Sequence, residues 1–283
     1  MKVADLLAGA AGRLAAADVP SPRVDAELLL AHVTGRARGS LPFSGPVAAS
    51  EVEAYEALVA RRAAREPLHY LTGSAAFRYV EVRVGPGVFI PRPETELLAG
   101  AAIEAAAAVV DSGRTPRVVD LCTGSGAVAL SIAHEVPSAQ VHAVELDPQA
   151  YDWAAENLAG SRVDLRRGDL AGAFGDLDGD VDVVVCNPPY VPLVAFEGVD
   201  VEARTHEPDV ALFSGDDGLD AIRQLERTAA RLLRPAGWLG FEHASEQGRS
   251  APAVLEAAGR WADVRDHADL LSRPRFTTAR LRG

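Results

Sequence analysis

Residues 118–126 form the stretch Val-Val-Asp-Leu-Cys-Thr-Gly-Ser-Gly, an apolar run that ends in two closely spaced glycines. The run has the composition of a buried strand, and helical spacing begins after Gly126. Glycines at such a turn let the backbone approach a ligand closely, and the first turn of the helix presents unpaired N–H groups. The stretch therefore predicts a ligand site at the carboxyl end of a strand.

Strands and helices alternate on both sides of this turn. We predict seven strands, at residues 117–121, 140–145, 163–166, 181–187, 238–242, 262–266 and 276–281. We predict helices between them, near residues 127–135, 148–159, 216–233 and 247–259. This alternation is typical of an α/β fold with a doubly wound, mostly parallel sheet, in which ligands bind beyond the carboxyl ends of the strands.

The N-terminal part of the chain has a different pattern. Apolar spacing predicts a small helical bundle, with helices near residues 2–17, 22–34 and 48–64. Alternating apolar residues from Phe77 to Val84, then Gly85-Pro86-Gly87 and Val88–Ile90, predict a hairpin whose turn lies at the glycines. We therefore predict a helical domain, a β-hairpin linker and a catalytic domain, at residues 1–73, 74–92 and 93–283.

The segment Pro-Arg-Pro-Glu-Thr-Glu at residues 91–96 predicts the start of a helix. Pro93 suits a first helical turn, where its missing N–H needs no partner. The two glutamates are favourable at the positive end of the helix dipole.

The charge balance disfavours one class of protein. The chain of 283 residues has 28 Lys+Arg against 40 Asp+Glu, a formal net charge of -12. Residues 1–75 contain equal numbers of acidic and basic side chains, so the whole excess falls in residues 76–283. An acidic region of this size disfavours a protein that binds along a nucleic-acid backbone.

The cysteines and the apolar runs indicate a compartment. Cys122 and Cys186 cannot form a disulfide framework, which suits a reducing environment, and we interpret them as small buried hydrophobic residues. The Ala-rich stretch at residues 100–110 is too short to span a bilayer and contains Glu104. Charges interrupt the N-terminal apolar run, unlike a signal peptide. We expect a soluble, cytoplasmic protein.

Acidic residues follow the next two strands. Glu145 ends the second predicted strand, 19 residues after Gly126, where a carboxylate can accept hydrogen bonds from both ribose hydroxyls. Nicotinamide and S-adenosylmethionine binders share this geometry, and residues 124–129 also fit the dinucleotide pattern, so an NAD enzyme is an alternative here. Asp147 fits a helix cap. Asp169 follows the third strand, where it either accepts from an adenine amine or belongs to a turn.

The tetrapeptide Asn187-Pro188-Pro189-Tyr190 follows an apolar strand. Two prolines cannot continue a central strand, so the chain leaves the sheet in a stiff loop. The side-chain oxygen of Asn187 and the carbonyl of Pro188 are two neighbouring acceptors, able to hold an –NH2 group by both hydrogens. Tyr190 can stack on the planar group that bears this nitrogen.

Two such acceptors have a chemical use. The lone pair of an amide or aromatic amine is delocalised, so its nitrogen is a poor nucleophile. Hydrogen bonds to both N–H groups orient the nitrogen toward a methyl donor and place partial negative charge where positive charge develops. A rigid turn without a ligand is the alternative interpretation. The position at the carboxyl end of a strand, in the same sheet as the glycine turn, favours the methyl-transfer hypothesis.

The sequence resembles the PrmC/HemK family of S-adenosylmethionine-dependent protein N5-glutamine methyltransferases. The resemblance extends through the whole chain, and its most specific part is the segment 91–96 together with the N-terminal helices. The other motifs are Asp25–Leu29, Arg65-Glu66-Pro67 with Tyr70, Gly73 and Phe77, Phe89-Ile90, Asn187–Tyr190, Glu207-Pro208, Ala211–Phe213, Gly215, Asp217–Leu219, Asp269 and Arg273–Phe276.

The resemblance implies a Rossmann-like methyltransferase domain that modifies the glutamine of the Gly-Gly-Gln motif in class I peptide chain release factors. S-adenosyl-L-methionine would be the methyl donor and S-adenosyl-L-homocysteine the product. The N-terminal bundle would dock the release factor. No metal, membrane or direct nucleic-acid contact is expected, and the protein is expected to be a monomer.

The resemblance also implies a role for each site residue. Asn187, Pro188 and Tyr190 would be catalytic, and together with Pro189 they would bind the substrate. The cofactor would be bound by Cys122, Thr123, Gly124, Ser125, Gly126, Glu145, Asp169, Leu170 and Asn187, with Arg92 and Pro93 in a loop that closes over the site. Two residues depart from the family pattern. Cys122 stands where the family often has glycine, and a small side chain there is tolerated if its φ is negative. Leu170 stands where some relatives carry an aromatic residue, so weaker adenine stacking is expected.

Other hypotheses make distinguishable predictions. An adenine-N6 methyltransferase of DNA or RNA shares the Asn187–Tyr190 motif, but predicts a basic stripe and a target-recognition insert. A non-catalytic nucleotide-binding regulator predicts damage to the glycine turn or to Asn187. His206 and His243 lack the spacing of a metal site, and we interpret His206 as a loop or surface residue. His243 follows a strand near the site and is a candidate for substrate contact.

Overall fold

The computed structural model describes all residues, 1–283. It contains ten α-helices: α1 Val3–Ala16, α2 Pro22–Thr34, α3 Ala49–Ala63, α4 Leu68–Thr72, α5 Thr95–Asp111, α6 Ala127–Glu135, α7 Pro148–Asn157, α8 Val201–His206, α9 Asp220–Leu232 and α10 Ser250–Ala258. It contains nine strands: β1 Ser74–Phe77, β2 Val80–Arg83, β3 Arg117–Leu121, β4 Gln140–Glu145, β5 Asp164–Arg167, β6 Val181–Cys186, β7 Leu233–Glu242, β8 Trp261–Ala268 and β9 Pro274–Leu281.

Seven strands form one sheet in the order β5-β4-β3-β6-β7-β9-β8. The pairs from β5 to β7 are parallel, and β9 runs antiparallel to both β7 and β8. The strand order reverses at β3, which has β4 on one side and β6 on the other. The predicted α/β fold with a mostly parallel seven-stranded sheet is confirmed, and the switch point between β3 and β6 is where such sheets bind ligands.

The register brings four strand ends to the same edge of the sheet. Leu121 of β3 pairs with Val144 of β4 and with Cys186 of β6. Cys186 in turn pairs with Phe241 of β7. The next residue of each strand therefore lies at this edge as well. Among these residues are Glu145 and Asn187, which were predicted for the site.

The predicted hairpin turn was wrong. Strands β1 and β2 pair with each other, and their turn is Arg78-Tyr79 rather than Gly85-Pro86-Gly87. Arg78 adopts a left-handed conformation with a φ of 50°. Because no glycine stands there, a turn at this position could not be predicted from the sequence. Residues 88–90 form no strand. Gly85 instead lies against the ring of Trp153, where a Cβ atom would be 2.5 Å from Cζ2.

The helix predicted to start within residues 91–96 begins at Thr95, with Glu94 as its N-cap residue. Pro93 therefore precedes the helix, and its carbonyl accepts from the N–H of Glu96. The Asp147 carboxylate accepts from the N–H groups of Gln149 and Ala150 and caps α7, as predicted.

Contacts divide the chain into two compact units, of which the first comprises Met1–Ser74 and Asp200–His206. Leu29, Tyr55 and Val59 are fully buried in its core. Arg62, also buried, lies 2.7 Å from the carboxylates of both Asp25 and Glu202. Helix α8, which was not predicted, thus belongs to the helical unit because of an ion pair with a residue distant in sequence.

The second unit comprises Ala75–Val199 and Glu207–Gly283 and contains the sheet. Strand β6 is buried along its whole length, as expected for a strand covered by helices on both faces. None of the ten helices is long and apolar enough to cross a membrane.

Candidate active site

The glycine turn between β3 and α6 has the backbone conformation that its glycines predict. Gly124 and Gly126 have φ values of 57° and 83°. A Cβ atom at Gly126 would lie 3.2 Å from Leu158, so this glycine also serves close packing against the chain after α7. The condition given for tolerating Cys122, a negative φ, is not met, because its φ is 60°. A non-glycine residue in this left-handed region costs roughly 1–2 kcal/mol.

Asp120, in β3, stabilises the glycine turn through hydrogen bonds. It was not among the predicted site residues. Its buried carboxylate accepts from the hydroxyl of Thr123 at 2.6 Å and from the N–H of Ala129 in the first turns of α6. Burial raises the pKa of the Asp120 carboxyl to about 7, against the lowering effect of these two donors. A charged residue within the apolar strand Arg117–Leu121 was the available signal.

Glu145 lies at the end of β4 and contacts the glycine turn directly. One carboxylate oxygen accepts from the N–H of Gly124 at 2.8 Å, and the other accepts from the N–H of Asp147 at 2.9 Å. Burial raises the pKa of this carboxyl. Each oxygen has a second lone pair, so the carboxylate can hold its two loops in place and still accept from a vicinal diol.

Asp169 and Leu170 follow β5, as predicted, and Asp169 also stabilises the turn that comes after it. Its carboxylate accepts from the N–H of Ala171 at 2.8 Å and caps the short turn Leu170–Gly172. Asp169 is exposed, and Leu170 is half-buried against the core.

The loop Asn187–Tyr190 leaves the sheet after β6, and its backbone is fixed by the segment around residues 212–218. The N–H of Val191 donates to the carbonyl of Leu212 at 2.8 Å, and the N–H of Ser214 donates to the carbonyl of Val191 at 3.0 Å. The buried side-chain amide of Gln247 donates to the carbonyl of Tyr190 at 3.0 Å. A Cβ atom at Gly218 would lie 2.3 Å from that same carbonyl.

Glu242, at the end of β7, connects this loop to the start of α5. Its carboxylate accepts from the hydroxyl of Thr95 at 2.6 Å and from the phenol of Tyr190 at 2.9 Å. The side-chain nitrogen of Asn187 donates to Thr95 Oγ1 at 3.3 Å. No hydrogen bond of the chain uses the side-chain oxygen of Asn187 or the carbonyl of Pro188. These two acceptors remain available to a ligand.

Arg92 and Pro93 lie next to this network in sequence. The Arg92 guanidinium donates to the buried carboxylate of Glu207 at 2.5 Å and lies over the ring of Phe89, at 4.7 Å from the ring centroid. Pro93 is exposed. The structure thus gives Arg92 protein partners that anchor the loop, and its predicted cofactor contact stays a prediction.

His243 is fully buried, and its substrate contact stays a prediction. Successive residues of a strand point to opposite faces, so His243 faces away from the network of Glu242. One ring nitrogen lies 2.9 Å from the carbonyl of Ala244, and the other lies 3.0 Å from Asp266. His206 ends α8 and is half-buried.

Cys122 and Cys186 are free thiols whose side chains contact each other. Burial raises the pKa of the Cys186 thiol well above its usual range. A thiol in this state is a poor nucleophile, which agrees with a packing role.

Comparisons with known proteins agree with this arrangement. Residues 5–73 match the model of the PrmC N-terminal domain family, and residues 85–199 match the model of the methyltransferase small domain. The chain is 57% identical to the release factor glutamine methyltransferase of Streptomyces coelicolor over 276 residues, which cover 97% of this chain and 96% of that protein.

Another relative acts on a different kind of molecule. The 4-amino-L-phenylalanine/4-methylamino-L-phenylalanine methyltransferase of Streptomyces pristinaespiralis is 41% identical over 265 residues, with 92% of this chain and 89% of that protein covered. Among solved structures, the T. thermophilus 16S rRNA N2 G1207 methyltransferase in complex with AdoMet and guanosine has a TM-score of 0.51 and 23% identity, covering 74% of this chain and 50% of that one. At this identity, the likeness shows the fold alone.

Proposed function

The chain belongs to the family of release factor glutamine methyltransferases, and on that premise we propose that it transfers a methyl group from S-adenosylmethionine to the side-chain amide nitrogen of a release-factor glutamine. The glutamine is the one in the Gly-Gly-Gln motif. The observation that carries the proposal is the pair of available acceptors, Asn187 Oδ1 and Pro188 O, at the carboxyl end of β6.

The residues around the glycine turn suit the methyl donor. Gly124 has a left-handed backbone and open space at its Cβ position, so a ligand can approach the turn there. Glu145 offers carboxylate lone pairs beside it for ribose hydroxyls. When bound, S-adenosylmethionine supplies an electrophilic methyl carbon. We propose Cys122–Gly126 and Glu145 as its principal contacts, with Asp169 and Leu170 at the adenine.

The loop Asn187–Tyr190 orients the substrate nitrogen. Asn187 Oδ1 and Pro188 O accept one hydrogen each from the glutamine –NH2, which fixes the plane of the amide and aims the nitrogen lone pair at the methyl carbon. Both acceptors place partial negative charge beside a nitrogen that becomes positive as the new bond forms. No side chain is required as a base before attack, because the nitrogen becomes acidic once methylated and releases its proton to water.

The surface next to this loop suits a protein substrate. Leu193 and Val194 follow the loop and have exposed fractions of 54% and 86%. Phe196, stacked on Phe213, is exposed to 45%. Contiguous exposed apolar side chains typically mark protein contacts. We propose that they contact the release factor around its glutamine loop, and that the predicted helical domain, residues 1–73, provides a second contact.

A second candidate substrate is an aromatic amine, and the relative from Streptomyces pristinaespiralis favours it. An amine nitrogen on a ring presents the same two hydrogens and the same delocalised lone pair as a glutamine amide. Asn187 and Pro188 would therefore accept from either group. The two substrates differ in size, so contacts outside these two acceptors decide between them.

Incubation with labelled S-adenosylmethionine tests the proposal. The candidates are a purified class I release factor, 4-amino-L-phenylalanine, duplex DNA and RNA, each offered separately. We expect label on the release factor. Label only on the free amino acid or on nucleic acid, or on nothing while the cofactor binds, would contradict the proposal.

A further inference from the structure

The hydroxyl of Thr95 lies between two side chains whose hydrogen-bonding abilities differ. It is 2.6 Å from Oε2 of Glu242 and 3.3 Å from Nδ2 of Asn187. Thr95 and Glu242 are 3% and 1% exposed, so water does not compete for these contacts. The three residues come from α5, β7 and the loop after β6, and meet only in the folded chain.

Counting protons fixes the direction of each hydrogen bond. An ionised carboxylate can only accept, so the single hydroxyl proton of Thr95 goes to Glu242. Thr95 Oγ1 then has only lone pairs to offer Asn187, which must turn its –NH2 group toward Thr95. The side-chain oxygen of Asn187 consequently faces away from Thr95, as an acceptor.

We propose that Glu242 and Thr95 are positioning residues that set the orientation of the Asn187 amide, and thereby make the site select a substrate –NH2 group over a carboxylate. The inference rests on the proposed function, in which that –NH2 group belongs to glutamine. If the Asn187 amide were reversed, its nitrogen would face the substrate nitrogen, donor against donor. A glutamate in place of the substrate glutamine would then find one hydrogen-bond donor, the Asn187 nitrogen, where the unreversed site presents two acceptors.

The same carboxylate also holds the other side of the substrate site. The phenol of Tyr190 donates to Glu242 Oε1 at 2.9 Å. Glu242 therefore fixes the Asn187 amide through Thr95 and the Tyr190 ring directly. Burial raises the pKa of this carboxyl, while the hydrogen bonds from Thr95 and Tyr190 and the charge of Arg275 oppose that rise and favour its ionised form.

Four variants separate this role from general stabilisation. Glu242→Gln gives Thr95 a neighbour that can donate, which frees the hydroxyl proton for Asn187 Oδ1. Thr95→Val removes the hydroxyl, and Thr95→Ser keeps it. Glu226→Gln is the matched control, a buried glutamate in α9 that accepts from Trp261 at 2.8 Å, outside the site.

The experiment first measures kcat with a release factor for the wild-type chain and each variant, with cofactor dissociation constants and melting temperatures alongside. We expect Glu242→Gln and Thr95→Val to lower kcat about tenfold or more, the effect of losing roughly one well-placed hydrogen bond. Thr95→Ser should recover most of this loss, and cofactor affinity should change little.

The second readout is selectivity, which a merely structural role would not alter. A release factor with glutamate in place of the target glutamine serves as a competitive inhibitor, and its dissociation constant is compared with that of the glutamine form. The wild-type chain should prefer glutamine by about tenfold or more, and the preference should shrink severalfold in Glu242→Gln and Thr95→Val. Glu226→Gln should keep the wild-type preference.

The outcomes separate the two proposals. Absence of transfer by the wild-type chain would overturn the proposed function. Transfer by the wild-type chain, with Glu242→Gln and Thr95→Val keeping both kcat and the glutamine preference, would overturn only the positioning role. If Glu242→Gln does not fold, the comparison of Thr95→Val with Thr95→Ser decides alone.

Discussion

The side-chain nitrogen of Gln247 lies 3.0 Å from the carbonyl oxygen of Tyr190, a residue 57 positions earlier in the chain. The same nitrogen also lies within hydrogen-bond distance of the carbonyls of Asp217 and Gly218. One buried amide thus connects the loop Asn187–Tyr190 to the segment Asp217-Gly218. A loop with two prolines has few N–H groups of its own, so it depends on donors from elsewhere.

Replacing Gln247 with leucine should make the loop Asn187–Tyr190 less rigid. The change leaves buried carbonyls without a donor, at a cost of about 1–3 kcal/mol in the free energy of unfolding. We expect a several-fold or greater loss of kcat and little change in cofactor affinity, because the glycine turn is not touched. Denaturant unfolding and steady-state kinetics measure the two effects. A kcat equal to that of the wild-type chain would contradict this role.

Gly218→Ala should disturb the same loop by steric overlap. Its φ is 73°, and the added Cβ atom would lie 2.3 Å from the carbonyl oxygen of Tyr190. Gly179→Ala is the matched control, since Gly179 has a φ of 71° and open space around its Cβ position. Both variants should lose about 1 kcal/mol of stability from backbone strain, and only Gly218→Ala should also lose turnover. Equal turnover in the two variants would show that the close approach is unimportant.

The parallel strands could be predicted from the sequence because local signals define them. Strands β3 and β4 have the predicted bounds, each an apolar run that ends at a turn or an acidic residue. The hairpin turn could not be located, because Arg78 adopts a left-handed conformation and the Gly85–Gly87 segment has stronger turn residues. Helix α8 was missed because its place depends on the ion pair of Glu202 with Arg62.

The candidate site divides in the same way. Glu145 and Asn187–Tyr190 follow strands and could be placed at the sheet edge from their motifs alone. The contacts of Glu242 with Thr95 and Tyr190 join residues 147 and 52 positions apart, which no local pattern reveals. The strand end predicted only that His243 lies near the site, whereas the direction of its side chain depends on the alternation along the strand.

Glu145→Gln should weaken cofactor binding. The carboxylate accepts from Gly124 and Asp147 and is proposed to accept from ribose hydroxyls, and charge-assisted hydrogen bonds are about twice as strong as neutral ones. We expect about a tenfold higher dissociation constant for S-adenosylmethionine, with kcat at saturation much less affected. Calorimetry measures the binding, and Glu226→Gln serves again as the control. Unchanged affinity would exclude Glu145 from the cofactor site.

The stability of the wild-type chain relative to Asp120→Asn should depend on pH. Burial raises the folded-state pKa of Asp120 from 3.8 to about 7. A raised folded-state pKa contributes stability that is fully present below the unfolded-state value and is lost as the pH rises through about 7. The difference in unfolding free energy between the two chains should therefore fall by a few kcal/mol between pH 4 and pH 8, with a slope of about 1.4 kcal/mol per pH unit. Denaturant unfolding at both pH values measures it, and a constant difference would contradict the assignment.

Asn187→Ala should remove transfer while leaving cofactor binding largely intact. The variant loses one of the two acceptors for the substrate nitrogen, whereas the glycine turn and Glu145 are unchanged. We expect a loss of kcat of about 100-fold or more, in the range seen when one preorganised polar group is removed from an active site. A turnover close to that of the wild-type chain would exclude the two-acceptor mechanism.

The most direct test is to locate the transferred methyl group by tandem mass spectrometry of the release factor after reaction with the wild-type chain. The account predicts one methyl group, on the side-chain nitrogen of the glutamine in the Gly-Gly-Gln motif, and no transfer to a release factor in which that glutamine is replaced by alanine. A methyl group on any other residue, or continued transfer to the alanine form, would contradict it.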